Sequence, residues 1–170
     1  MKAALNRGLF FFMNTLLDHF AARYEGILSR SVSLVEQCPA ERLFHRPKQL
    51  GYFPALFSCG EFLVRSAANV EMTFGGITRR LWDDPFEWTL AETIGSREKV
   101  LEYFSEVRKT TEQGFAFIGN DDNLLREIPA PVALRPIVDV LLESLCRAEH
   151  LQGRAFALFQ LFSDEPPPRP

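Results

Sequence analysis

The residues able to bind or react are concentrated in two stretches. The first is Leu141–Pro168, LLESLCRAEHLQGRAFALFQLFSDEPPP, where Glu143, Cys146, Arg147, His150 and Arg154 recur at helical spacing. The second is SCGEFLVRSAANVE, which carries Cys59, Glu61 and Arg65. Glu61 and Glu143 each stand one turn N-terminal to an arginine, the favourable order for an i, i+4 ion pair. Two readings follow for these pairs. Either a local Arg–Glu network fills a pocket, or each pair is solvated and worth a few tenths of a kcal/mol. If Arg65 and Arg147 line a pocket together, their forked donors suit a small anionic ligand such as a carboxylate. Charge compensation by Glu61 and Glu143 is the competing reading. Cys146 and His150, one turn apart, have metal-ligand spacing that Cys59 or Glu61 could join. Against this stands the favoured reading, a buried thiol beside a flank histidine.

Other candidates carry less. His19 has no His or Cys one turn away and reads as a boundary or surface residue. His45 precedes Arg46-Pro47 in an irregular segment and reads as structural or exposed. Ser144 has only Arg147 one turn away, and neither a Gly-x-Ser-x-Gly elbow nor a phosphate-cradling glycine loop is present.

The elements that would position these residues are helices. Met13, Leu16, Leu17, Phe20, Tyr24, Ile27, Leu28 and Leu34 recur at helical spacing, with Ser31 in the gap, and predict a helix from about Leu9 to Gln37, ended by Cys38-Pro39. Pro39, Pro47, Gly51 and Pro54 exclude a long element over 39–57, a connection pinned by Phe44, Tyr52, Phe53, Leu56 and Phe57. Ser58-Cys59-Gly60-Glu61 is a capping box that opens a helix to about Leu81, with Leu63, Ala67, Val70, Phe74 and Ile77 on one stripe. Turn residues and two tryptophans over 82–95 precede a helix from near Ser96 to a glycine cap at Gly119. Asn120–Asn123 is a polar turn, and Leu124–Ala133 a short strand-like or irregular crossing. Pro136 suits the first turn of a last helix whose inward residues are Ile137, Val140, Leu141, Ser144, Ala148, Leu151, Ala155, Leu158 and Phe162. The expected fold is all-α: a four-helix bundle with long connections over residues 1–163 and a frayed proline-rich tail over 164–170.

Composition narrows the function classes. The 170 residues suffice for one domain with a proper core, and 16 Phe against 3 Tyr and 2 Trp suggest an aromatic interior. A net charge of -3 offers no basic surface, so nucleic acid is not an expected partner. Cys38, Cys59 and Cys146 are odd in number and far apart, which points to reduced thiols in a cytoplasmic protein. No run approaches the ~18 apolar residues of a membrane span, and Met1–Asn14 reads as the lead into a helix rather than a signal peptide.

SCGEFLVRSAANVE resembles the second-helix motif of the DinB-like family, in which a metal-binding His follows the initiating serine by seven residues. LFHRPKQLGYFPALFS is similar to that family's approach to this helix. The last helix resembles the family's closing signature, a His-x-x-x-His pair leading into Arg-Gly-Gln. With Gly153 on the family glycine, Gln160 falls on the usual Arg, Ser163 on the usual Gly and Pro166-Pro167 on the terminal prolines. The resemblance places the three metal ligands at Arg65, Arg147 and Leu151. Arginine has no available lone pair and leucine no donor atom, so a metal-free, degenerate site is expected. Relatives would use a divalent metal such as nickel or zinc in thiol transfer or hydrolysis. A non-enzymatic, ligand-binding protein is therefore expected; the alternatives are such a transferase or hydrolase, and a dimeric interaction module. The resemblance also turns Arg65 toward the bundle axis, beside Ala68, Asn69 and Met72, whereas the Leu63–Phe74 stripe would put it in solvent. The axial placement is favoured.

Overall fold

The computed structural model describes residues 15–47, 57–83 and 93–169. Helix α1 (Leu16–Gln37) begins at a capping box. The Thr15 hydroxyl accepts from the Asp18 amide at 3.1 Å, and the Asp18 carboxylate accepts from the Thr15 amide at 3.0 Å. The Asp121 carboxylate adds a long-range cap, accepting from the Leu16 and Leu17 amides at 2.9 Å each. Together they satisfy first-turn amides that have no partner within the helix. The start is thus later than the expected Leu9; Leu9–Asn14 lie outside the described residues. Leu16, expected in the buried stripe, is exposed, while Leu17, Phe20, Tyr24, Ile27, Leu28, Ser31 and Leu34 are buried.

After Pro39 comes a single helical turn, α2 (Ala40–Leu43). Helix α3 (Cys59–Arg79) opens on the expected box: the Ser58 hydroxyl accepts from the Glu61 amide at 3.2 Å, and Glu61 accepts from the Ser58 amide at 2.7 Å. It ends at Arg80, held in the left-handed region at φ 63. Helix α4 (Arg97–Ile118) runs from the Ser96 cap to Gly119, whose φ of 83 is the conformation that favours glycine. The expected polar turn is a short 3₁₀ helix, Asp121–Leu125. The crossing after it is a hairpin, β1 (Glu127–Pro129) antiparallel to β2 (Leu134–Pro136), with Ile128 opposite Arg135. Pro136 is the N-cap of α5 (Ile137–Phe159) rather than a residue of its first turn. The fold is therefore mostly helical, with one small two-stranded sheet.

The four long helices pack side by side: α3 lies against α4 and α5, α1 lies against the same pair, and α1 and α3 touch little. At the centre, Phe74 meets Tyr24 and Phe115 edge-on at ring distances of 5.2 and 5.0 Å. Helix α3 is buried over far more of its circumference than its stripe predicts, with Ser66, Asn69 and Thr73 buried too. On α5 the buried positions match the expected stripe except that Gln152 and Phe159 take the inward places expected of Leu151 and Leu158, while Leu151, Leu158 and Phe162 are half-buried. The Gln152 amide donates to Ile27 O and Ser31 Oγ at 2.6 Å each and accepts from Arg30 Nε at 3.0 Å, so its burial is satisfied. The C-terminal segment folds back: Pro166–Arg169 line a groove with Arg23, Arg30 and Phe156. No helix among the described residues is long and apolar enough to cross a membrane.

Candidate functional site

A polar ladder clamps α3 to α5. Ser66 Oγ donates to Ala148 O at 2.8 Å, Asn69 Nδ2 to Ser144 O at 2.8 Å, and the Cys59 thiol to Ala155 O at 3.5 Å. The Thr73 and Ser144 hydroxyls stand 2.8 Å apart. These side chains bond to the neighbouring helix because small residues let the two backbones approach, and a buried polar atom must find a partner. Sequence reading missed the ladder. Its signal was the small polar series Cys59, Ser66, Thr73, repeating every seven residues along an otherwise apolar helix.

Along one edge of this seam lies a cleft of about 220 Å³. Helix α3 supplies Phe62, Arg65, Asn69 and Met72, spaced to share one face, and α5 answers with Arg147, Leu151 and Arg154. Phe57, just before the α3 cap, closes one side. Arg65, Arg147 and Leu151, the positions matched to the metal ligands by resemblance, thus line a single cleft. Arg65 is half-buried, and its guanidinium stacks 4.0 Å above the Phe57 ring. The Arg154 guanidinium lies 4.7 Å above the Phe62 ring. Stacking on an aromatic face occupies the flat side of a guanidinium and directs its N–H donors outward from the edge. No Asp or Glu belongs to the lining among the described residues.

The expected i, i+4 pairs give way to other partners. Glu61 is bound by Arg46: Arg46 Nε donates to Glu61 Oε2 at 2.9 Å, and a second, shorter bond joins Arg46 Nη2 to Oε1. Burial pushes the Glu61 carboxyl up, but Arg46 and the Ser58 amide and hydroxyl outweigh it and hold the group below the usual carboxylate range. Glu61 therefore sits beneath the helix start rather than in the cleft. Glu143, largely solvated, pairs with the half-buried Arg135 of the hairpin. Arg147 forms no ion pair or hydrogen bond among the described residues. The reason is tertiary: the competing arginines come from the α2–α3 connection and from β2, beyond the reach of any i, i+4 rule.

His150 is exposed on α5 and outside the cleft lining. Cys146 is exposed, contrary to the buried thiol expected there. Cys38 and Cys59 are buried, and the Cys38 thiol donates to Pro39 O at 3.6 Å. The neighbouring Cys59 and Arg97 lower the Cys38 thiol, whereas Cys59 is pushed up by Cys38 and by burial. No group of three or more His, Cys, Asp or Glu among the described residues could hold a metal ion. The set Cys146, His150, Cys59 and Glu61 is accordingly not brought together, and the cleft's own arginines and leucine do not fit a divalent cation. His19 and His45 are both exposed.

The fold and cleft define a helical protein with an arginine-lined groove between two of its long helices. The chain matches no family model, no curated protein and no solved structure.

Proposed function

We propose that this chain is a divergent DinB-like bundle whose metal site has been replaced by a cleft that binds a small anionic ligand, a carboxylate or a similar oxyanion. One observation carries the reading. Arg147 and Arg154 line one cleft, and no carboxylate belongs to its lining among the described residues. Arg147 and Arg154 are both exposed, and like charges on one cleft raise a positive potential that attracts an anion. The placement of the Arg154 guanidinium over the Phe62 ring favours a planar, forked acceptor over a point charge. Metal-dependent thiol transfer or hydrolysis lacks its donors, since arginine and leucine stand at the three positions that the resemblance assigns to ligands.

The test is titration with small carboxylates and inorganic phosphate, followed by thermal shift and calorimetry, on protein purified without an affinity tag. Binding should weaken about tenfold or more in Arg147→Gln and Arg154→Gln, since each removes a charge-assisted contact. Stoichiometric nickel or zinc in the purified protein would overturn the reading.

A further inference from the structure

We infer that the ligand of this cleft is elongated: its anionic group lies between Arg147 and Arg154, and an uncharged, flat apolar body extends past Met72 to the Trp82 indole. This rests on the anion-binding reading above and adds to it the class of molecule.

The arginine cleft does not end at Arg147. A second hollow of about 200 Å³ continues beyond it, lined by Thr73, Trp82, Pro131, Val140 and Ser144. The two share Asn69, Met72 and Arg147, so they are chambers of one groove with those three residues at the junction. Ligand sites commonly occupy about 300 Å³ or more. Neither chamber reaches that alone, whereas the groove as a whole does.

The second chamber differs from the first in charge. Apart from the shared Arg147, its ionised residues, Arg135 and Glu143, are paired with each other. Its polar floor is also committed: Asn69 donates to Ser144, and the Thr73 hydroxyl lies within hydrogen-bond distance of both Asn69 O and Ser144 Oγ. What remains for a ligand is apolar surface, and that surface is fixed. Trp82 Nε1 donates to Pro129 O at 3.0 Å, tying the indole to the hairpin. The ring also lies so close against α3 that a Cβ at Gly76 would stand 2.4 Å from Trp82 Cε3. An indole held at its nitrogen and on one face offers a ready wall for an aromatic or planar group. Met72, the flexible residue at the junction, can adapt to the linker between the two ends.

The experiment compares acetate, 4-phenylbutyrate and the uncharged 4-phenylbutanamide by calorimetry on the wild-type chain, Trp82→Leu, Gly76→Ala and Arg147→Gln. Helicity of each variant is checked by circular dichroism. Stacking and burial of the phenyl group should make 4-phenylbutyrate bind at least about tenfold tighter than acetate. Trp82→Leu and Gly76→Ala, which remove or displace the indole, should erase most of that advantage and leave acetate binding unchanged. Should one of these variants not fold, the other still decides. If 4-phenylbutyrate binds no tighter than acetate while Arg147→Gln weakens both, the elongated ligand is refuted and the anion site stands. If the amide binds as tightly as the acid, or if none of the three binds, the anion reading fails and this inference with it.

Discussion

Arg46 grips the Glu61 carboxylate from outside the helix, with Nε 2.9 Å from Oε2, while the Ser58 amide donates to that same oxygen from 2.7 Å. One carboxylate thus caps α3, anchors the α2–α3 connection and leaves Arg65 turned to the cleft.

Because the Glu61 pKa is lowered on folding, its charge contributes stability that is fully present above the unfolded value of about 4.3 and is lost as pH falls through the folded value. Glu61→Gln should therefore cost about 1–2 kcal/mol near neutral pH, from a weakened cap and a lost charge-assisted bond. The gap between wild type and variant should shrink below pH ~4. Urea unfolding at pH 7 and pH 3 checks this, and a gap of equal size at both would contradict it.

Gly114 pits two effects against each other. On an isolated helix, Gly→Ala is stabilising by about 1 kcal/mol. Here a Cβ would stand 2.1 Å from Phe74 Cδ1, and Phe74 is fully buried against Tyr24 and Phe115. Overpacking costs about 1–3 kcal/mol, so the clash wins. Gly114→Ala should lower the unfolding free energy by roughly 1–2 kcal/mol, by the difference of these two effects. A higher melting temperature in the variant would refute the close approach.

Accessibility separates the three thiols. Cys146 is exposed, and Cys38 and Cys59 are buried. A thiol reagent added to the native protein should modify Cys146 within minutes and the other two only on unfolding, because modification needs an exposed thiolate. Cys146→Ser should remove the rapid phase with a stability change within about 0.5 kcal/mol, as for most surface substitutions. Rapid modification of more than one thiol per chain would contradict the burial of the Cys38–Cys59 pair.

What could be read from the sequence is what is local. The Ser58–Glu61 box, the Ser96 start and the Gly119 cap depend on residues three or four apart, and all three form. The Thr15–Asp18 box is equally local, but the apolar residues before it continue the helical pattern and hide it. Harder to read were choices made by partners far along the chain. Gln152 enters the core because Ile27 O and Ser31 Oγ accept its amide, and nothing in the α5 pattern announces them. Glu61 and Glu143 bind Arg46 and Arg135 rather than the arginines one turn away, since tertiary approach outcompetes weak helical pairing. For the cleft, spacing put Arg147 and Arg154 near one another on α5, while it was the resemblance, against the apolar stripe, that placed Arg65 beside Asn69 and Met72 on α3. That the two faces meet was set by the Ser66, Asn69 and Thr73 bonds across the seam.

The shape of the arginine head, and not its charge alone, should decide affinity in the cleft. The Arg154 guanidinium carbon lies over the Phe62 ring, 4.7 Å from its centroid, a contact that restricts the directions of its donors. Lysine keeps the charge but replaces a planar fork with a compact, strongly hydrated ammonium. If charge alone bound the ligand, Arg154→Lys would retain wild-type affinity, and Arg154→Gln would lose it. With forked recognition, Arg154→Lys should weaken carboxylate binding about tenfold, or ~1.4 kcal/mol, and thus approach Arg154→Gln. Folding stability should change little in either variant, since an exposed cation–π contact is worth about 0.5–1 kcal/mol. Calorimetric titration of a carboxylate against the three proteins at equal ionic strength makes the distinction. Full retention of affinity in the lysine variant would reduce the cleft to a patch of positive potential.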